Sequence, residues 1–221
     1  MPDERRTIAC LWAGVAAPVL FTTVYLIEGA TRLGYDPLRH QVSLPSLGDR
    51  GWVQTLSFLV SGVLLVVFAI GLRGWLWGGP GGRVTPAAVG SAGLGLLLAG
   101  IFPTPPLFGY PPGTPEGMAT DITPGSLLHV RGAILFFFGL IVAAVAFAVR
   151  SWREEATGWA VASVAAAVAI FVCFGASGGG PSGELLFPGV TGLLQRFALL
   201  AGFGWVLAIA LWGIDSMRDA W

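Results

Sequence analysis

The sequence contains no lysine, so all twelve of its basic residues are arginine. Chemistry that runs through a lysine Schiff base, as in a retinal pigment or a lysine aldolase, is thereby excluded. Cysteine is almost as scarce. Cys10 opens the first apolar run and Cys173 lies deep in the fifth, so the two are expected at different depths and unbridged. Two thiols are also too few for a structural zinc site. Charged residues make up 11% of the chain, where a soluble domain carries about 25%. The formal net charge is zero, which gives no electrostatic footprint for nucleic acid. HExxH, Walker and CxxCH patterns are all missing, and the two histidines have no close ligand spacing such as HxxxH. Neither a metal nor a cofactor is expected.

What is present is apolar: 55% hydrophobic residues and a mean hydropathy of +0.77 over 221 residues. A hydrocarbon core of ~30 Å asks for about 20 apolar residues per helix. Six segments meet that length: 8–30, 52–73, 84–102, 126–149, 158–177 and 192–214. The first exceeds the short apolar core of a signal peptide, so it reads as an uncleaved helix. Turn-forming sequences separate the segments: "RGWLWGGPGGR", "RSWREEATG" and "SGGGPSGELLFPGVTG". The proline-rich "FPTPPLFGYPPGTPEGMATDITPG" admits no helix and reads as an ordered extended loop over the bundle mouth. Glycines and alanines in "GSAGLGLLLAG" suit close helix packing rather than nucleotide binding. The expected architecture is all-α, a single polytopic membrane bundle of six transmembrane helices over 1–221.

Arginine placement orients it. With the N-terminus inside, the inner segments hold Arg5, Arg6, Arg73, Arg83, Arg150, Arg153 and Arg218, and the outer loops only Arg32, Arg39 and Arg50. Both termini are therefore expected in the cytoplasm, in a bacterial inner membrane.

The polar residues then gather at the outer end. "EGATRLGYDPLRHQVSLPSLGDRGW", residues 28–52, carries Glu28, Arg32, Tyr35, Asp36, His40 and Ser43. Gln54 opens helix 2, His129 and Arg131 the fourth helix, and Gln195 and Arg196 the sixth, while Glu184 lies in the last outer loop. Charges at membrane depth turn toward a cavity or a partner. One polar chamber is expected, with Glu28, Asp36, His40 and His129 as acid–base candidates. Arg32, Tyr35, Ser43, Gln54, Arg131, Gln195, Arg196 and Glu184 would bind the substrate. Glu28, Asp36 and Glu184 are the expected partners of Arg131 and Arg196. Each residue also has a plainer role: Glu28–Arg32 as an i,i+4 pair, Asp36 as a turn acceptor, His40 as a structural histidine, Ser43 as a helix cap, the arginines as interface snorkellers.

Three stretches in this order, "YDPLRHQVSLPSLGDRGWVQ", "AGIFPTPPLFGYPPGTP" and "TPGSLLHVRGAILFFF", resemble the DUF998 family of bacterial polytopic membrane proteins, from about Tyr25 to Trp212. The resemblance implies the architecture, and it places the outer loops and His129 in one pattern. Family members often show Thr-Asp-Pro where this chain has Thr104-Pro105-Pro106.

Two functions fit the residues best, beside a third reading as a structural or assembly partner whose polar mouth docks another membrane protein. One is a membrane-embedded acid–base enzyme acting on a lipophilic substrate, by hydrolysis or by a terpene-cyclase-like protonation. The other is a non-enzymatic protein that binds or transports lipid. The expected partners are membrane lipids and a hydrophobic small molecule. Oligomeric state is not readable from one chain.

Overall fold

A computed structural model describes residues 3–119, 121–178 and 185–218. Six helices account for most of them: α1 (Glu4–Thr31), α2 (Gly51–Trp75), α3 (Val84–Ile101), α4 (Pro124–Arg153), α5 (Thr157–Ser177) and α6 (Thr191–Arg218). All six are long and apolar enough to cross a membrane. They match the six apolar segments, and most run past them. Thr123 caps α4 by accepting from the Ser126 N–H, and Pro124 follows where a missing N–H costs nothing. Arg150 and Arg153 then carry the helix beyond its apolar run. Its 30 residues span roughly 45 Å at 1.5 Å per residue, so both ends reach the headgroup layer.

Consecutive helices pack side by side, and α6 closes back on α1, so the six form a ring in chain order. The described residues of the loops 32–50, 102–123 and 178–190 share one end of it, called here the loop end. The first and last described residues, Asp3 and Arg218, lie at the other, the terminal end. Glycine allows α3 to fit between its neighbours. A Cβ on Gly93 would lie 2.8 Å from the Gly62 carbonyl oxygen of α2, and one on Gly132 of α4 only 2.7 Å from that of Gly95. The "GSAGLGLLLAG" stretch is thus a helix-packing face, as its spacing indicates.

Phe68, Phe136, Phe147 and Phe203 are fully buried and form part of the core. Trp205 belongs to it too, donating to Ser163 at 3.0 Å. At the loop end Tyr35, Leu44, Leu107, Phe108 and Tyr110 make a small second core that joins two loops to each other. Cys10 and Cys173 are free thiols on α1 and α5.

Candidate functional site

The loop end holds two separate arrangements where one polar chamber was expected. The first is a clamp. Segment 36–40 folds over the start of α6, whose exposed backbone donors need acceptors. The Arg39 carbonyl accepts from the Gly192 N–H at 3.1 Å and the Leu38 carbonyl from the Leu193 N–H at 2.8 Å. The approach is close enough that a Cβ on Gly192 would fall 2.3 Å from the His40 carbonyl oxygen. Arg196, 8% exposed, reaches up from the next turn. Its guanidinium donates to the carbonyls of Pro37, His40 (2.9 Å) and Gly192 (3.0 Å), and to the Tyr35 hydroxyl at 2.6 Å. The expected acidic partner is replaced by backbone oxygens, which a planar fork of donors can serve several at a time. Tyr35 in turn donates toward the His40 and Gln41 carbonyls, both at 3.0 Å.

Burial pushes the Tyr35 phenol up from 10.0 to about 12, against the pull of the Arg196 charge beside it. Burial also raises Tyr110. The folded chain holds the Tyr35 proton more tightly than the unfolded one does. Its contribution to stability is therefore whole below pH 10 and lost between pH 10 and about 12. An alkaline titration followed by tyrosinate absorbance should show a late step that coincides with loss of structure. Tyr35→Phe should shrink that step, leaving the part due to Tyr110; an early, uncoupled titration would contradict the clamp.

Glu28 belongs to the same scaffold. One carboxylate oxygen takes Arg32 (2.6 Å), its i,i+4 neighbour, and the other takes Arg50 at 3.3 Å. Arg32 goes on to the Pro45 carbonyl (2.8 Å) and Arg50 to Thr31 Oγ1 (2.8 Å). These bonds fasten the end of α1 to the loop that opens α2. Asp36 is exposed, and its side chain accepts from the Leu38 N–H at 2.9 Å, a turn role. His40 spends both ring nitrogens. Nδ1 accepts from the Asp36 N–H at 2.9 Å, which fixes the proton on Nε2, and Nε2 donates to the Phe108 carbonyl at 2.9 Å. Phe108 and Gly109, at φ 59° and 79°, form the left-handed centre of a tight turn between Leu107 and Tyr110. His40 pins this turn, and an Arg39–Glu116 ion pair holds the loop's outer edge.

The second arrangement is a cavity of about 550 Å³, to which all six helices contribute. Phe21, Phe58, Phe136, Phe137 and Phe174 give it aromatic walls, and Leu107 and Phe108 form part of its roof. Its polar groups are few: Ser43, Thr104, Ser126, His129, Ser177, Gln41 and Gln195. His129 is buried and held from one side. Ala99, near the end of α3, would give its carbonyl to the N–H four residues on, but that residue is Pro103, which has none. His129 Nδ1 supplies the donor, 2.8 Å from the Ala99 oxygen and 3.0 Å from that of Phe102. The ring is thus the tautomer with the proton on Nδ1, and Nε2, with no hydrogen-bond partner among the described residues, keeps its lone pair. Gln195 is split in the same way. Its Oε1 accepts from the Val42 N–H at 2.8 Å, and its amide nitrogen has no partner among the described residues. Ser43 Oγ meets Thr104 Oγ1 at 3.3 Å.

The chamber predicted from sequence therefore divides. Ser43, His129 and Gln195 all line the cavity. Glu28, Arg32, Tyr35, His40 and Arg196 are framework around it, and Asp36 is surface. Ser43 precedes a 3-10 turn (Leu44–Ser46), yet its hydroxyl does not cap it. Arg131 is exposed on α4 with no ion pair among the described residues, a snorkelling position outside the cavity. Gln54 is fully buried, outside the cavity lining, and neither amide atom has a partner among the described residues. Glu184 lies outside the described residues. Thr104, which opens the Thr104-Pro105-Pro106 departure from the family pattern, also lines the cavity, and so do Phe137 and Phe174, stacked at 4.0 Å between ring centroids and without a signal in the sequence. Among the described residues no group of three His, Cys, Asp or Glu converges to hold a metal ion.

No curated protein and no solved structure matches the chain. The family model described as "Protein of unknown function (DUF998)" matches residues 15–212, nearly the whole bundle. The chain belongs to the DUF998 family.

Proposed function

We propose that the protein withdraws a lipophilic molecule with a small, neutral polar end from the bilayer and holds it in the cavity at the loop end. The observation that carries this reading is the pairing of aromatic walls with unsatisfied polar atoms of both kinds. His129 Nε2 accepts and the Gln195 amide donates, while the walls are apolar enough for a hydrocarbon body. The volume of about 550 Å³ is in the range of small-molecule pockets. Access is from lipid rather than water. Leu127, Val130 and Ile134 line the cavity and are also exposed on the outer face of α4, beside Ile122 and Met118 of the roof loop.

A second reading, proton transfer at the same place, is favoured by the Nε2 lone pair of His129, which is the form that accepts a proton. Cyclisation started by protonating an alkene has less support. It needs an acid beside the substrate, and Glu28 and Asp36 both lie outside the cavity lining.

Mass spectrometry of the protein purified in mild detergent tests the first reading. A stoichiometric lipophile, an isoprenoid or another hydroxyl- or carbonyl-bearing lipid, is expected with the wild type. Ala133→Trp places an indole at the half-buried α4 wall and should empty the cavity without unfolding the bundle. Equal lipid content in that variant would count against the proposal.

The protein is proposed to sit in a bacterial inner membrane with both termini cytoplasmic, on the excess of arginine at the terminal end. With Cys10 and Cys173 replaced, Asp121→Cys in the exposed roof loop should react with an impermeant maleimide added to intact spheroplasts. Labelling only after lysis would reverse the orientation.

A further inference from the structure

The terminal end carries a concavity of a different character, about 730 Å³, formed where α1, α2 and α3 meet. Three arginines reach it, Arg6 on α1, Arg73 on α2 and Arg83 just before α3. Among the described residues none of the three has an ion pair or a side-chain hydrogen bond, and Arg73 lies over the face of Trp77 at 4.4 Å. Arg150 at the same end is different. It is fully engaged by Glu154 and by the carbonyls of Leu76, Gly78 and Pro80. The one acid on the concavity, Asp3, caps α1 through the Arg5 N–H. Among the described residues, three cations without an ion pair face one carboxylate already engaged as a cap, which leaves the rim positive.

Below the rim the wall is apolar. Val66, Ala69, Ile70 and Arg73 follow one stripe of α2, with Cys10 opposite on α1. From Arg73 to Val66 the stripe runs roughly 10 Å along the helix, from the headgroup layer down into hydrocarbon. A free inorganic anion would use the rim alone, whereas the depth of the wall suits an acyl chain. We propose that this concavity binds one anionic phospholipid, its phosphate among Arg6, Arg73 and Arg83 and an acyl chain along the Val66–Ile70 wall. The site is separate from the loop-end cavity and stands independently of the function proposed for it.

Native mass spectrometry of the full chain in detergent, titrated with phosphatidylglycerol or phosphatidylcholine, tests this. The wild type should retain phosphatidylglycerol in preference. Each Arg→Gln change among the three should weaken retention by about fivefold, the usual worth of a basic residue at an anionic surface. R153Q/R218Q removes two arginines from the same end but none from the concavity, and should retain the wild-type preference. Equal retention of the two lipids by the wild type would overturn the proposal. So would an equal loss in R153Q/R218Q, or displacement of the lipid by millimolar inorganic phosphate. If R6Q/R73Q/R83Q does not fold, R83Q alone, at an exposed position, decides the matter: unchanged retention there refutes the site.

Discussion

Replacing Arg196 with methionine should unfasten the loop end and lower the melting temperature in detergent by about 10 °C. The carbonyls of Pro37, His40 and Gly192 and the Tyr35 hydroxyl all accept from this one guanidinium, which thereby also holds the hydroxyl that donates to the His40 carbonyl. Methionine fills much of the same volume and donates nothing. A buried acceptor left unpaired costs about 1–3 kcal/mol, so several lost together, partly relieved by relaxation, give about 3 kcal/mol. For a chain of this size each kcal/mol moves the midpoint by about 2–4 °C. Arg196→Lys keeps the charge but offers donors from a single nitrogen, which cannot bridge the carbonyls and the phenol at once, and should recover only part of the loss. Differential scanning fluorimetry of the three proteins measures this directly. A methionine variant within about 2 °C of wild type would mean that the 36–40 segment is held mainly by the backbone bonds to Gly192 and Leu193.

Much of this fold could be read from the sequence, because its determinants are local. Six apolar runs of spanning length announce six helices, and the small residues of 90–100 announce a close crossing. The gathering of polar residues at one end was legible too, since it follows from alternating helix direction. Their pairing was not. Arg196 looked for an acid and met carbonyls of residues 37, 40 and 192, and a carbonyl has no signature in a list of side chains. The same blindness joined His40 to His129. Both are histidines at the loop end, and what separates them is whether backbone groups occupy one ring nitrogen or two. One cue was available: Pro103 deprives the Ala99 carbonyl of its helical donor, which predicts some side-chain donor nearby. The cavity itself is a property of where side chains fail to meet, and one chain's residue order does not carry that.

The difference between the two histidines gives the other large expected effect. His129→Gln can still donate an amide hydrogen to the Ala99 and Phe102 carbonyls, so the end of α3 stays tied to α4 and the melting temperature should change little. It loses the basic nitrogen, however. If the bound molecule's polar end donates to Nε2, retention of that molecule should fall by about tenfold, the worth of one buried hydrogen bond at the upper end of its usual range. Should proton transfer be the function, turnover should fall by about 10²–10⁴. His129→Ala removes both roles, leaving two carbonyls unserved, and should lose stability and ligand together. His40→Gln is the matching control. His40 fixes the Asp36 turn and the Phe108 carbonyl and does not line the cavity. Its loss should loosen the roof loop and depress the melting temperature while leaving discrimination among polar ends unchanged. Measuring ligand retention and thermal stability on all three variants therefore gives opposite patterns for the two histidines. If His40→Gln changes which lipid is held and His129→Gln does not, the acting group has been assigned to the wrong ring.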